Sequence, residues 1–191
     1  MQTEKEKDRR ENLNQTRNWT WMELFDHRFF TEVWKKDRRV VRTAVMLVIL
    51  FHFFSIGIVP SESMAPTLEP DDLVLYVNTK HVTRGDIVFF TYPLDEKLKY
   101  VKRIIGLPGD EVEVKNQAVY VNGKPLEENY LLEQPLYTFS KAIVPEGYYF
   151  VLGDNRNNSE DSTHWGFLKA DNVNGKAIGV LLPFSKFKII K

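Results

Sequence analysis

Between Thr43 and Val59 the chain reads "TAVMLVILFHFFSIGIV", with no charged residue and with apolar positions all round a helical wheel rather than in one stripe. At ~1.5 Å per residue such a run covers roughly 25 Å of helix. That is the low edge of the roughly 17–25 residues that cross a bilayer. Val40, Val41 and a snorkelling Arg42 extend it, so the predicted membrane span is 40–59. A buried core helix is the alternative, and the lack of a polar face counts against it. Ahead of the run, Trp19, Met22, Phe25, Phe29 and Val33 recur at helical spacing, with Glu23, His27 and Glu32 mostly on other faces. This predicts an amphipathic interfacial helix with a basic flank over 19–39, on the membrane surface or packed on another protein. Residues 1–18 are polar and charged, as expected of a disordered tail.

Beyond Pro60 the pattern changes to short runs of β type: "DLVLYV", "DIVFFTY", "KYVKRIIG", "EVEVKNQAVYVNG", "YYFVLG" and "KAIGVLLPF". Val112 and Val114 alternate with charged residues, and Val119 and Val121 alternate again, so Lys115-Asn116-Gln117 marks a hairpin turn. Asn122-Gly123 marks the next turn. The expected fold is mainly β: a compact domain of coiled antiparallel sheets over 60–191, following one transmembrane helix.

Charge then orients the chain. Arg28, Lys35, Lys36, Arg38, Arg39 and Arg42 precede the apolar run, whereas 60–79 holds Glu62, Glu69, Asp71 and Asp72 and no Lys or Arg. The positive-inside rule places the N-terminus in the cytoplasm and the β domain outside, as an uncleaved signal-anchor. The leader before the run is too long for the n-region of a cleaved signal peptide. Net charge is zero, so no basic field points to nucleic acid. The chain has no cysteine, which excludes thiolate catalysis, and its 4 histidines lack ligand spacing, so no protein-built metal site is expected.

Three stretches carry more polar chemistry than a β scaffold needs: Pro60-Ser61-Glu62-Ser63-Met64, Tyr100 to Asp110, and Gly153 to Ser162. In "YVKRIIGL", alternation puts Lys102 and Ile104 on one face and Val101, Arg103 and Ile105 on the other. If the first face is the core, Lys102 is a buried amine whose pKa falls, and a neutral lysine is a general base. Ser61 and Ser63 are both candidates for the hydroxyl it would deprotonate.

Taken together, "PSESMAPTL", "RGDIVFF", "YVKRIIGLPGD" and "GDNRNNSEDSTHWGFL" resemble, in order, the conserved boxes of bacterial type I signal peptidases, membrane-anchored Ser-Lys proteases. The resemblance implies Ser63 as nucleophile and Lys102 as general base. It implies Ser61 as an oxyanion-hole donor and Ser159 as the residue orienting the amine. Asp154, Arg156 and Asp161 would hold the site together, and Met64 would line the wall near the cleavage site. Two positions depart from the family pattern: Glu62, where glycine is common, and Thr163, where a basic residue is usual. Arg103 is then expected to serve Asp161.

The function implied is removal of signal peptides from exported preproteins, with small residues preferred at −3 and −1 and no cofactor. Expected partners are signal peptides, the lipid bilayer and the secretion translocase, at the bacterial cytoplasmic membrane. Apolar surface near Phe89, Phe90 and the Met64 loop is expected to dip into lipid. A self-cleaving Ser-Lys repressor is the first rival, disfavoured by the membrane span. A catalytically silent membrane β scaffold is the second, disfavoured by the presence of both Ser63 and Lys102. A Ser-His-Asp triad would need His81 or His164. A calcium loop over 154–161 fails because Arg156 and Ser159 stand at the third and sixth positions.

Overall fold

The structure, a computed structural model, describes residues 38–190. Helix α1 (Arg38–Phe53) takes up most of the apolar run, and none of its side chains is buried. The expected tail and nearly all of the expected interfacial helix lie outside the described residues; Arg38 and Arg39 open α1.

The predicted span 40–59 is divided. The chain leaves the helix at Phe53, and strand β1 (Phe54–Ile58) follows at once. Beyond strand β2 (Leu73–Val77), Asn78 donates its side-chain amide to the His52 carbonyl and its backbone N–H to the Phe53 carbonyl. Two of the helix's open carbonyls are thereby satisfied. All five residues of β1 pair with β2, from Phe54 opposite Val77 to Ile58 opposite Leu73. Gly57 is required there, since a Cβ would run into the Phe89 ring. Among the described residues, no helix is long and apolar enough to cross a membrane.

The remaining strands are β3 (Ile87–Thr91), β4 (Lys99–Gly106), β5 (Glu111–Lys115), β6 (Ala118–Val121), β7 (Lys124–Pro125), β8 (Phe139–Ile143), β9 (Tyr148–Leu152), β10 (Leu168–Lys169), β11 (Val173–Leu182) and β12 (Lys188–Ile189). They form two antiparallel sheets. The larger has the order β1-β2-β11-β3-β4-β9-β10, with β12 on β11, and the smaller has the order β7-β6-β5-β8. The expected hairpin forms between β5 and β6, with Lys115 still in the ladder opposite Ala118. Its turn is therefore Asn116-Gln117, both at positive φ, and Asn122-Gly123 repeats that geometry before β7.

Strand β4 organises the interior. Val101 packs with Met64, Val74 and Phe89, Ile104 with Val88 and Phe90, and Ile105 with Val112 and Phe150 of the smaller-sheet core. Alternation in β4 therefore does not separate core from solvent, because both faces are covered from Val101 to Gly106. Phe89 and Phe90 are 4% and 0% exposed and belong to these cores, so they offer no surface to lipid.

Pairing along β4 is asymmetric. Residues 99–103 pair with β3, but β9 joins the opposite edge only from Arg103, which faces Leu152. Among the described residues, the first half of β4 thus keeps one edge unpaired, and β1 ends the sheet on its far side.

Candidate active site

The loop after β1 brings the serines to β4. Glu62–Met64 forms a short 3-10 turn, with Ser61 extended at its N-cap position. Ser61 does not cap the turn; its hydroxyl donates to Ser63 Oγ at 3.2 Å. Ser63 Oγ and Lys102 Nζ lie 2.7 Å apart, and the amine also donates to the Val101 carbonyl at 3.0 Å. Lys102 is 3% exposed and Ser63 6%. Burial lowers the Lys102 pKa to about 8, opposed by the negative charges of Asp161, Glu160 and Asp154. Near neutral pH the amine can therefore lose its proton while touching a serine hydroxyl, which is what a general base for a serine nucleophile requires.

The chain from Gly153 to Asn158 clamps this serine turn. Asn155 donates its backbone N–H to the Ser63 carbonyl and its side-chain amide to the Glu62 carbonyl. Gly153 allows the approach, because a Cβ there would collide with the Ser63 carbonyl and the Ser159 hydroxyl. Ser159 Oγ is buried against this point without a hydrogen-bond partner among the described residues. Met64 is fully buried beneath the loop, in the core with Val59, Leu68 and Val101.

The acidic and basic residues of the last stretch are divided between two supports. Arg103 makes a paired contact with Asp154, at 2.8 and 2.6 Å, and Thr67 adds a third hydrogen bond to the same carboxylate. The Arg103 guanidinium also stacks on the Tyr130 ring, 3.8 Å from its centroid. Arg156 spans from the Gly153 carbonyl to Glu128, which accepts at 2.8 and 2.5 Å. Asp161 instead caps helix α2 (Ser162–Trp165), accepting from the N–H and hydroxyl of Thr163 and from the Gly153 N–H. The expectation that Arg103 serves Asp161 is therefore corrected: Arg103 and Asp154 close on each other. Thr163 satisfies Asp161 by donating two hydrogen bonds rather than by charge.

Sequence reasoning missed Glu128, Tyr130, Thr67 and Asn155, which lie outside the matched stretches or read as loop residues. Glu128 could have been found as a buried carboxylate needing a cation, but only once Arg156 was known to be buried. Neither histidine serves Ser63: His81 is exposed, and His164 shares a hydrogen bond with Thr163.

A cavity of about 380 Å³ opens over the pair, lined by Pro60, Ser61, Glu62, Ser63, Tyr100, Val101, Lys102, Asn158 and Glu160. A second, of about 300 Å³, continues between Ile56–Ile58 of β1 and Lys99–Val101 of β4.

The chain as a whole is similar in sequence to known proteins. The family model described as signal peptidase, peptidase S26, matches residues 34–182. A probable signal peptidase I-1 of Synechocystis sp. is 39% identical over 166 residues, covering 80% of this chain and 85% of that protein. A probable signal peptidase I-2 of the same organism is 43% identical over 169 residues, covering 82% and 77%. Signal peptidase I of Bacillus caldolyticus is 38% identical over 174 residues, covering 80% and 94%. With three quarters or more of each relative covered and a family model spanning most of the chain, this protein belongs to the signal peptidase family, peptidase S26.

Proposed function

We propose that this chain is a membrane-bound serine endopeptidase that removes signal peptides from exported preproteins through a Ser63–Lys102 dyad. The observation that carries the reading is the 2.7 Å approach of a buried lysine amine, with a pKa near 8, to a serine hydroxyl at the floor of an open cavity. Neutral Lys102 takes the Ser63 proton as Oγ forms a bond to the scissile carbonyl carbon. The Ser61 hydroxyl and the Ser63 backbone N–H hold the developing oxyanion, a donor type that contributes about 3 kcal/mol in serine proteases. The C–N bond then breaks, and the lysine gives its proton to the leaving amine. Water enters with Lys102 again as base, and its oxygen displaces Ser63 from the acyl carbon. Ser159, whose buried hydroxyl beside Gly153 has no hydrogen-bond partner among the described residues, is the residue that would turn to the amine and orient it.

The substrate lies extended between the free edge of β1 and the unpaired half of β4, adding main-chain hydrogen bonds to the sheet. The stacked rings of Tyr76 and Phe89, 4.7 Å apart, help line that groove. Small side chains at −3 and −1 fit such a groove, and Ala-x-Ala sites are the expected substrates. Membrane attachment is supported by the exposed apolar side chains of α1, among them Val48 and Phe51, and by exposed Ile56, Ile58, Phe184 and Phe187. The basic flank before α1 favours a cytoplasmic N-terminus, with the catalytic domain outside and preproteins delivered by the translocase.

Cleavage of a purified Ala-x-Ala preprotein in liposomes tests the reading. Wild type cuts, Ser63→Ala and Lys102→Ala do not, and full activity in either variant would remove the dyad assignment.

A further inference from the structure

The active-site cavity does not end at Ser63. It shares Asn158 and Glu160 with a third cavity of about 680 Å³, bounded by Leu136, Tyr137, Thr163 and His164. On its other side it shares Pro60, Tyr100 and Val101 with the groove between β1 and β4. The three cavities adjoin one another through these shared residues, and Ser63 lines the central one.

Its direction follows from the strands. In the antiparallel order β1-β2-β11-β3-β4, strands β1 and β4 advance the same way, from the apolar groove toward Ser63. On the proposed reading, the apolar segment of a signal peptide lies toward the Phe54 end of β1, away from Ser63. The residues before the cut therefore occupy the groove, and those after it pass Asn158 and Glu160.

Glu160 is held there by design of its neighbours. Tyr92 donates to one carboxylate oxygen at 2.5 Å and Tyr100 to the other at 3.1 Å. The two rings stack at 4.3 Å, which fixes both hydroxyls. These hydrogen bonds keep the Glu160 pKa below its ordinary value, so the group stays charged. It remains exposed, and a carboxylate with about four acceptor sites keeps capacity for a further donor. Arg156, which also lines the third cavity, is already committed to Glu128.

We propose that Glu160 selects the charge of the residues that follow the scissile bond, favouring lysine or arginine there and disfavouring aspartate or glutamate. This rests on the Ser63–Lys102 reading and adds to it a specificity-determining residue beyond the small-residue sites.

The test uses the full chain in neutral detergent and peptides sharing one Ala-x-Ala site, with Lys, Gln or Glu at each of the two positions after the cut. For wild type at low salt, kcat/KM for the Lys peptide should exceed that for the Glu peptide roughly tenfold, the scale of an exposed ion pair made against one repelled. In Glu160→Gln, which keeps an acceptor for the tyrosines, the ratio should approach one. Ratios between peptides cancel any change in Lys102 basicity. As a check that needs no variant, the wild-type preference should fade at about 0.5 M salt, where the screening length is roughly 4 Å. A ratio near one in wild type, or one that survives in Glu160→Gln or at high salt, overturns the proposal while leaving the dyad intact. No cleavage by wild type, or equal cleavage by Ser63→Ala, removes the dyad reading and this subsite with it.

Discussion

Lys102 and Arg103 are neighbours on β4, both cationic side chains and both nearly inaccessible, yet they do opposite jobs. Arg103 meets a carboxylate at two points, a carbonyl of Gly85 and an aromatic face. Lys102 meets a serine hydroxyl and its own strand's carbonyl. Full pairing keeps a charge fixed and inert. Burial without a contacting carboxylate makes a charge easy to lose, and an amine that readily loses its proton is a base. One strand thus carries a fixed ion pair on one face and, on the proposed reading, the catalytic base on the other.

The largest effect that could break this contrast is on turnover. Lys102→Met should lower kcat by at least about 10⁴-fold, as loss of a member of a nucleophile–base unit does, while leaving the fold intact. The same variant should gain stability. A lysine whose folded pKa is lowered to about 8 costs stability below that pH, and the cost disappears as pH rises past the unfolded value near 10.5. The gain should thus reach about 3 kcal/mol at neutral pH and vanish toward pH 10.5, as read by denaturant unfolding at several pH values.

Arg103→Leu should behave in reverse. It leaves Asp154 buried without its cation and should cost about 3–5 kcal/mol of unfolding free energy. An Arg103→Leu protein that melts like wild type and loses only activity would contradict the division of labour.

Ser61→Ala comes next, with kcat down about 10²-fold or somewhat more and little change in melting temperature, since its hydroxyl caps nothing. The smallest and finest measure is the pH profile. The rate should fall about tenfold per unit on the acid side of about pH 8, as protonated Lys102 stops accepting the serine proton. A limb set near pH 10.5 would mean the amine is not desolvated in solution.

How much of this was legible in the sequence depends on the range of each interaction. The β5–β6 hairpin and its Asn122-Gly123 successor were readable because a turn is a local event. The serines and Lys102 were readable as candidates because a lysine inside an apolar strand is conspicuous. The end of the helix at Phe53 was not, because it depends on Asn78 and on a strand partner contributed by Leu73–Val77. Hydropathy treats Phe54–Ile58 as more of the same apolar run. Arg103's choice of Asp154 over Asp161 was hidden for a similar reason: it is decided by a sheet register and a helix cap, neither of which leaves a mark in spacing.

The uneven edge of β4 has a consequence for where the chain is cut. An extended peptide laid along Lys99–Lys102 meets an edge without a strand partner among the described residues, where the Val101 carbonyl also accepts from the Lys102 amine, but at Arg103 that position is already taken by Leu152. On the proposed reading the visitor leaves the ladder there, next to the lysine whose amine meets Ser63. On that reading the sheet is a caliper whose jaw is the place where free edge runs out, and the cut is counted from that stop.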